Sequence, residues 1–320
     1  MIVQKRMTGR LRLLTLAAVL GSVLVAWDTP RANQRQECNI GHGLCYDVPV
    51  NAGPLINTGN FDGGPSLSQD GLTLFFGSAR RNNLGRLDED IYMARREHRS
   101  QPFGAPQNLG PTVNSLGFAD FSPELSIDGL TLYFASNREP GGFGSGDLYV
   151  TRRSSLDDPW EPPQNLGPGI NTTYFEGQPN ISANGKTLYW DGDRPDGGFG
   201  DFDIWMATRQ HVEEPFTSAV NVGQPINGPG PDFGAALSQN ENLLFFSSGR
   251  PGNFGQLDIW VVEREKRSDP WGNPVNIESL NSPFFQAAPT FGRNGRDVCF
   301  MSFRPGGFGV LDVWCATRLE

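Results

Sequence analysis

Short runs of alternating apolar and polar residues, separated by turns rich in Gly and Pro, follow one another along most of the chain. In the best example, four runs predict strands at residues 121–126, 130–136, 147–153 and 160–166. The Asp128-Gly129 pair between the first two runs is a strong hairpin signal. Outside the N-terminus, no long segment has apolar residues at helical spacing. The pattern therefore predicts an all-β protein.

The same four-strand unit is repeated five times. An Asp-aliphatic-aromatic tripeptide opens the third strand of each unit, and its acidic residues are Asp90, Asp147, Asp203, Asp258 and Asp312. A nearly fixed period of this length means that one supersecondary unit is reused. Four antiparallel strands repeated radially form the blades of a β-propeller, in which neighbouring blades bury each other's faces. We therefore predict a five-bladed β-propeller, with the tripeptide Asp in a structural role as an acceptor of backbone N–H bonds.

The two ends of the repeat array complement each other. The fifth unit ends at Glu320, after its third strand, and residues 46–57 align without gaps to residues 160–171, which include a fourth strand. We expect the N-terminal segment to pair with residues 311–317 and complete the last blade, because ring closure removes exposed sheet edges. The expected organisation is a signal peptide at residues 1–32, an extension at residues 33–45 and the propeller at residues 46–320.

The N-terminus has the order of a secretory signal. Four basic residues precede an uncharged apolar run at residues 13–27, which is short for a membrane span. No Ala-x-Ala cleavage site follows, so an uncleaved anchor stays open as an alternative. Loss of residues 1–32 would remove five of the 26 basic and one of the 35 acidic residues, leaving a net charge of −13. Such a surface disfavours nucleic acid and anionic membranes as partners. We expect a periplasmic or secreted monomer.

The four cysteines suit that compartment. An even number behind a signal sequence predicts two disulfides. Cys299 and Cys315 lie on the two arms of the last hairpin, where they can form a cross-strand pair, which leaves Cys38 to pair with Cys45. A metal site is not expected, since there is no Cys-x-x-Cys and the three histidines are far apart in the sequence.

The repeat motifs resemble a known family. The pattern Pro-x-Leu-Ser-x-Asp-Gly-x-Thr-Leu-Tyr-Phe, the segment Arg-Pro-Gly-Gly-Phe-Gly at residues 304–309 and the Asn-Leu-Gly segments at 108–110 and 165–167 are similar to bacterial TolB-type, WD-repeat-like propeller repeats. The resemblance covers residues 46–318 and implies the fold, in secreted or envelope proteins. The separate N-terminal domain of TolB has no counterpart here, so the resemblance does not imply the Tol–Pal role.

Two periodic sets of charged residues are the candidate site. Three residues before the Pro position of each repeat stand Asp62, Asp120, Glu176, Asp232 and, in the fifth, Gln286. Arginines recur at the start of the loop on the same face of the propeller as these residues, at Arg80, Arg138, Arg194, Arg250 and Arg304. Both sets should surround one mouth of the central channel. They are either structural ion pairs or partly uncompensated groups that bind a polar ligand such as a sugar, or a cation. No other cofactor is expected.

An enzymatic alternative uses three of these acids. Five-bladed glycoside hydrolases of the arabinanase and β-xylosidase type carry Asp, Asp and Glu on successive inner strands, and Asp62, Asp120 and Glu176 resemble that series. Inverting glycosidases need two carboxyl groups roughly 6.5–9.5 Å apart. The acids here follow the repeat, however, whereas a catalytic site usually breaks the symmetry of its scaffold. The leading prediction is an exported, non-catalytic binding scaffold for a protein partner or a cell-envelope polysaccharide.

Overall fold

A computed structural model describes residues 44–81, 88–292 and 295–319. The predicted signal peptide and most of the predicted extension, including Cys38, lie outside these residues. The described ranges contain twenty strands. They are β1 Val50–Asn51, β2 Asp62–Leu67, β3 Thr73–Ser78, β4 Asp90–Arg95, β5 Gln107–Asn108, β6 Asp120–Leu125, β7 Thr131–Ser136, β8 Asp147–Arg152, β9 Gln164–Asn165, β10 Glu176–Ile181, β11 Thr187–Gly192, β12 Asp203–Thr208, β13 Val220–Asn221, β14 Asp232–Leu237, β15 Leu243–Ser248, β16 Asp258–Glu263, β17 Val275–Asn276, β18 Gln286–Phe291, β19 Asp297–Ser302 and β20 Asp312–Thr317.

The strands form five antiparallel four-stranded sheets, which confirms the five-bladed propeller. Blades one to four are β2–β5, β6–β9, β10–β13 and β14–β17, and blade five has the order β1-β20-β19-β18. In blade five Val50 lies opposite Cys315 and Asn51 opposite Trp314, while Tyr46 bridges to Arg318. The N-terminal segment therefore completes the last blade, as predicted.

The outer strands are shorter than the sequence pattern predicts. In blade two, residues 160–166 were expected to form a strand, but β9 spans only Gln164–Asn165. Pro162 and Pro163 precede it, and neither can donate a ladder hydrogen bond. Trp160 contributes by packing instead, since it lies against the hydrophobic cluster shared by blades one and two.

The hydrophobic core lies between the blades. One cluster joins Tyr133 and Leu148 of blade two to Leu188 and Trp190 of blade three, and all four are almost fully buried. Burying a large apolar side chain contributes about 1.5–3 kcal/mol. Since each cluster spans two blades, the blades stabilise one another and the ring fixes their order.

Every inner strand contains a bulge. The third residue of each inner strand has a positive φ between 46° and 55°, and the register shifts at that point. The glycines at this position permit close approach, because a Cβ on Gly64 would lie 2.9 Å from the Cα of Ser122 and one on Gly234 would lie 2.9 Å from the Cα of Ala288. The bulges of neighbouring blades therefore contact one another around the channel.

The predicted disulfide between Cys299 and Cys315 is confirmed. The two residues lie directly opposite each other on β19 and β20, with their Cα atoms 4.1 Å apart. The pairing of Cys45 with Cys38 stays a prediction. Within the described ranges, no helix has the length and apolar character needed to cross a membrane.

Candidate functional site

The inner strands all begin at one end of the channel, which we call the channel face, and the four predicted acids and Gln286 stand at their first positions. The five side chains are almost completely buried. Each accepts a backbone N–H from the turn that enters its blade: Thr58 donates to Asp62 at 2.6 Å and Thr172 donates to Glu176 at 2.8 Å. The strand start and the turn before it are thus held together by one side chain.

The predicted arginines meet these acids pairwise. The nitrogen–oxygen distances are 3.2, 2.5, 3.3 and 3.0 Å for the pairs Arg80–Asp62, Arg138–Asp120, Arg194–Glu176 and Arg250–Asp232. Each guanidinium also lies over two aromatic rings; in blade two the Arg138 Cζ is 5.0 Å from the Phe134 ring and 4.8 Å from the Tyr149 ring. Arg138 further donates to the Val113 carbonyl at 2.7 Å. These contacts tie each entering turn to its blade.

The pKa shifts of the acids agree with a role as buried partners of groups within the protein. Burial raises the pKa of Asp62, Glu176 and Asp232, while hydrogen bonds from Ser or Thr hydroxyls and backbone amides, and then the arginine charge, oppose that rise. Asp62, Asp120 and Glu176 have no exposed surface. They therefore offer no open pair of carboxyl groups to a substrate, which weakens the glycosidase interpretation of this ring.

Glu89, which immediately precedes β4, was missed by the sequence reasoning. Its carboxyl group lies over Gly77, which has no side chain to obstruct it. Burial, followed by the charges of Asp62, Asp120 and Asp90, raises the pKa of Glu89 to about 8. It is therefore mainly protonated at neutral pH. The other repeats carry Gly, Phe, Leu and Leu at this position. An acid at a position that is otherwise uncharged was therefore the sequence signal that could have identified Glu89.

Blade five also departs from the repeat. Gln286 stands where the other blades have a carboxylate, and its Oε1 accepts the Ser282 N–H at 3.1 Å. Arg304 keeps the usual environment, with Nη2 donating to the Leu280 carbonyl at 2.6 Å and the rings of Phe300 and Trp314 at 4.9 and 5.4 Å. Burial lowers the pKa of Arg304 to about 10. This guanidinium has no carboxylate partner among the described residues.

Aromatic side chains project from the loops between the second and third strands on the same face. Phe143, Phe199, Phe254 and Phe308 are each about half-exposed. Their backbone N–H groups donate to Asp147, Asp203, Asp258 and Asp312 at 2.7, 2.6, 2.7 and 2.5 Å. For these four residues the geometry confirms the predicted structural role of the tripeptide Asp, and each also fixes a loop that carries an exposed ring. In the described ranges, no group of three or more His, Cys, Asp or Glu residues could hold a metal ion.

No protein-family model and no curated protein matches the chain. Solved structures show the fold. The α-L-arabinofuranosidase of Lactobacillus brevis is 16% identical with a TM-score of 0.54, over 85% of this chain and 94% of that one. The family-43 endo-arabinanase of Bacillus licheniformis is 15% identical with a TM-score of 0.54, over 81% and 94%. TolB of Acinetobacter baumannii is 13% identical with a TM-score of 0.49, over 82% and 55%. The likeness to the two glycoside hydrolases shows the propeller fold alone and carries no activity with it.

Proposed function

We propose that this chain is an exported, non-catalytic binding scaffold whose channel face recognises a protein partner or a polysaccharide of the cell envelope. The observation that carries the proposal is the contrast within that face. The ring of acids is buried and occupied by arginines and backbone amides, while aromatic rings stand exposed at matching loop positions in four of the blades. Exposed aromatic groups held by anchored loops are suited to binding, because little conformational freedom is lost.

Export is part of the same proposal. The Cys299–Cys315 disulfide is of a kind that persists in oxidising compartments and is rare in the cytosol. The basic and apolar N-terminal segment supports the same destination. Fractionation of cells that express the full chain tests this: recovery of the protein in the cytoplasm with free thiols would contradict export.

One observation keeps a glycoside hydrolase as the second candidate. Glu89 has a raised pKa beside Asp62 and Asp120, which is the state that a general acid needs near neutral pH. The purified protein should be assayed on arabinan, xylan and aryl-glycosides, with Glu176→Gln and Glu89→Gln as controls. The scaffold proposal expects no turnover. Turnover abolished by either substitution would replace it with the hydrolase.

The scaffold itself is tested by binding. The immobilised protein should retain an envelope protein or polysaccharide fraction, and Phe143→Ser with Phe199→Ser should reduce retention at least tenfold. Leu156→Ser is the matched control, because Leu156 is an exposed apolar residue beside the Gly129 turn, at the opposite end of the blade. Equal retention by the control and the double variant would contradict a role for the channel face.

A further inference from the structure

Blade five breaks the charge balance of the channel face. In blade three Thr172 donates its N–H to Glu176 at 2.8 Å, and Glu176 neutralises Arg194. In blade five the Ser282 N–H donates to Gln286 at 3.1 Å in the same way. The amide therefore takes the place of the carboxylate and keeps its hydrogen bond, but it brings no negative charge.

Arg304 is held in place by neutral groups only. Its Nε donates to Ser302 Oγ at 3.2 Å and its Nη2 to the Leu280 carbonyl, and its Cζ lies 4.9 and 5.4 Å from the Phe300 and Trp314 ring centroids. Nη1 donates to no acceptor in the described part of the chain, and the side chain is partly exposed. A half-buried cation without a counter-ion is unfavourable. An anionic group from a ligand would supply the missing charge, with two parallel hydrogen bonds where it is a carboxylate.

The loops around Arg304 are mainly apolar, although the turn that supplies the Leu280 carbonyl also carries the exposed Glu278. Four segments of this face, residues 58–61, 249–257, 282–286 and 303–311, contain no Asp or Glu. Their exposed side chains include Phe284, Phe308 and Val310, at 41, 52 and 60% of full exposure. The acids of the corresponding loops, Glu89, Glu139 and Asp196 among them, belong to blades one to three. One sector of the face therefore combines a single uncompensated cation with aromatic and aliphatic surface.

We infer that this sector of blade five binds the C-terminal carboxylate of a polypeptide that ends in an apolar residue. Arg304 would receive the carboxylate, and Phe284, Phe308 and Val310 would cover the last side chain. A polysaccharide fits less well, since its many hydroxyls need hydrogen-bond partners and these loops are built mainly from Gly, Pro and Phe. The inference rests on the proposed binding function and gives its ligand a chemical class.

The substitution Gln286→Glu separates binding from folding. Glu and Gln have the same shape, and Glu176 with Arg194 shows that a glutamate at this position reaches the arginine. The variant supplies the missing charge from within, so it should unfold at a higher urea concentration than the wild type and yet lose the ligand. Gln101→Glu is the matched control, because it adds the same charge at an exposed position after β4, at the end of blade one opposite the channel face.

The probes are N-terminally fluorescein-labelled hexapeptides ending in Phe or Leu, each as the free acid and as the C-terminal amide. Fluorescence anisotropy should show at least tenfold tighter binding of the acids, lost in Gln286→Glu and retained in Gln101→Glu. Peptide acids ending in Ser should bind more weakly than those ending in Phe. Equal binding of acid and amide, no binding up to millimolar concentration, or unchanged binding by Gln286→Glu would each overturn the inference.

One further comparison distinguishes a wrong carboxylate subsite from a wrong envelope-binding scaffold. Gln286→Glu should be run beside Phe143→Ser/Phe199→Ser in the envelope-retention assay. If the Phe variant loses its partner and Gln286→Glu keeps it, the channel face still binds and the carboxylate subsite is wrong. If the wild type retains nothing while the peptide acids bind through Arg304, the subsite stands and the envelope partner is wrong.

Discussion

Five asparagines, four of them buried and Asn281 half-buried, link each entering turn to the preceding blade, and their removal is the most informative test of how the ring is held together. In blade three's turn, Leu148 donates its N–H to Asn171 Oδ1 at 2.8 Å, and Asn171 Nδ2 donates back to the Leu148 carbonyl at 3.0 Å. The same nitrogen donates to Asn165 Oδ1 at 2.8 Å. The equivalent residues in the other turns are Asn57, Asn114, Asn227 and Asn281.

The cost of Asn171→Ala can be worked from these contacts. Asn171 is only 1% exposed and Leu148 is fully buried, so water cannot replace the lost partner of the Leu148 N–H. The Leu148 carbonyl keeps a second donor, the Leu166 N–H at 3.0 Å. One orphaned donor costs about 1–3 kcal/mol and each lost bond about 0.5–1.5 kcal/mol. The expected loss is about 2–4 kcal/mol, a large share of the roughly 5–15 kcal/mol of a typical domain.

Urea unfolding followed by tryptophan fluorescence measures this loss. Asn273→Ala is the control, since Asn273 is exposed, and it should change the free energy of unfolding by less than about 0.5 kcal/mol. Asn171→Asp should also destabilise the protein, and increasingly so as pH rises, because a buried carboxylate would face the Leu148 carbonyl. A loss below about 1 kcal/mol for Asn171→Ala would refute the proposed role of the asparagines.

Three further outcomes are expected. Leu125 donates its N–H to Ser66 Oγ of the neighbouring blade at 3.1 Å. Ala236 stands at the Ser66 position of blade four and has no side-chain acceptor. Ala236→Ser should therefore raise the free energy of unfolding, measured in urea, by about 0.5–1 kcal/mol. Burial raises the pKa of Asp191 to about 7, so the folded state holds a proton that the unfolded chain releases near pH 4. Stability should therefore fall as pH rises from about 4 to 7, and Asp191→Asn should flatten that fall in unfolding measured across the range. Replacing Cys299 and Cys315 with Ala removes a bridge of sequence separation 16 and should cost about 3 kcal/mol in urea unfolding; no change would mean that the bridge constrains little.

The blade count and the closure were predictable because both depend on periodicity. A pattern repeated five times suppresses the ambiguity that any one strand has, and the gapless match of residues 46–57 to residues 160–171 identified the missing strand directly. The short outer strands were not predicted, since alternation continues through Pro162 and Pro163 although proline cannot donate to the ladder. The Asn171 series was visible as a recurring aliphatic-Asn pair, but its partner on the preceding blade depends on how the blades pack.

The candidate site shows where sequence reasoning ends. The rings of acids and arginines were correctly expected to meet on one face, because equivalent positions of a repeat occupy equivalent places. Sequence could not decide whether Asp62 faces a ligand or Arg80, since that depends on a side-chain approach of a few ångströms. In the structure four acids are neutralised from within, so the periodic charges stabilise the blades.

A ligand that is not itself five-fold symmetric can be recognised only where the blades differ. The periodic residues give every blade the same internal contacts, and they would present the same surface five times. Two departures lie on the channel face: Glu89, an acid mainly protonated at neutral pH, and Gln286, which leaves Arg304 without a carboxylate. They give the face a neutral hydrogen-bond donor near blades one and two and an uncompensated cation in blade five. An asymmetric partner can be oriented by that difference, whereas the repeat alone would allow five equivalent orientations.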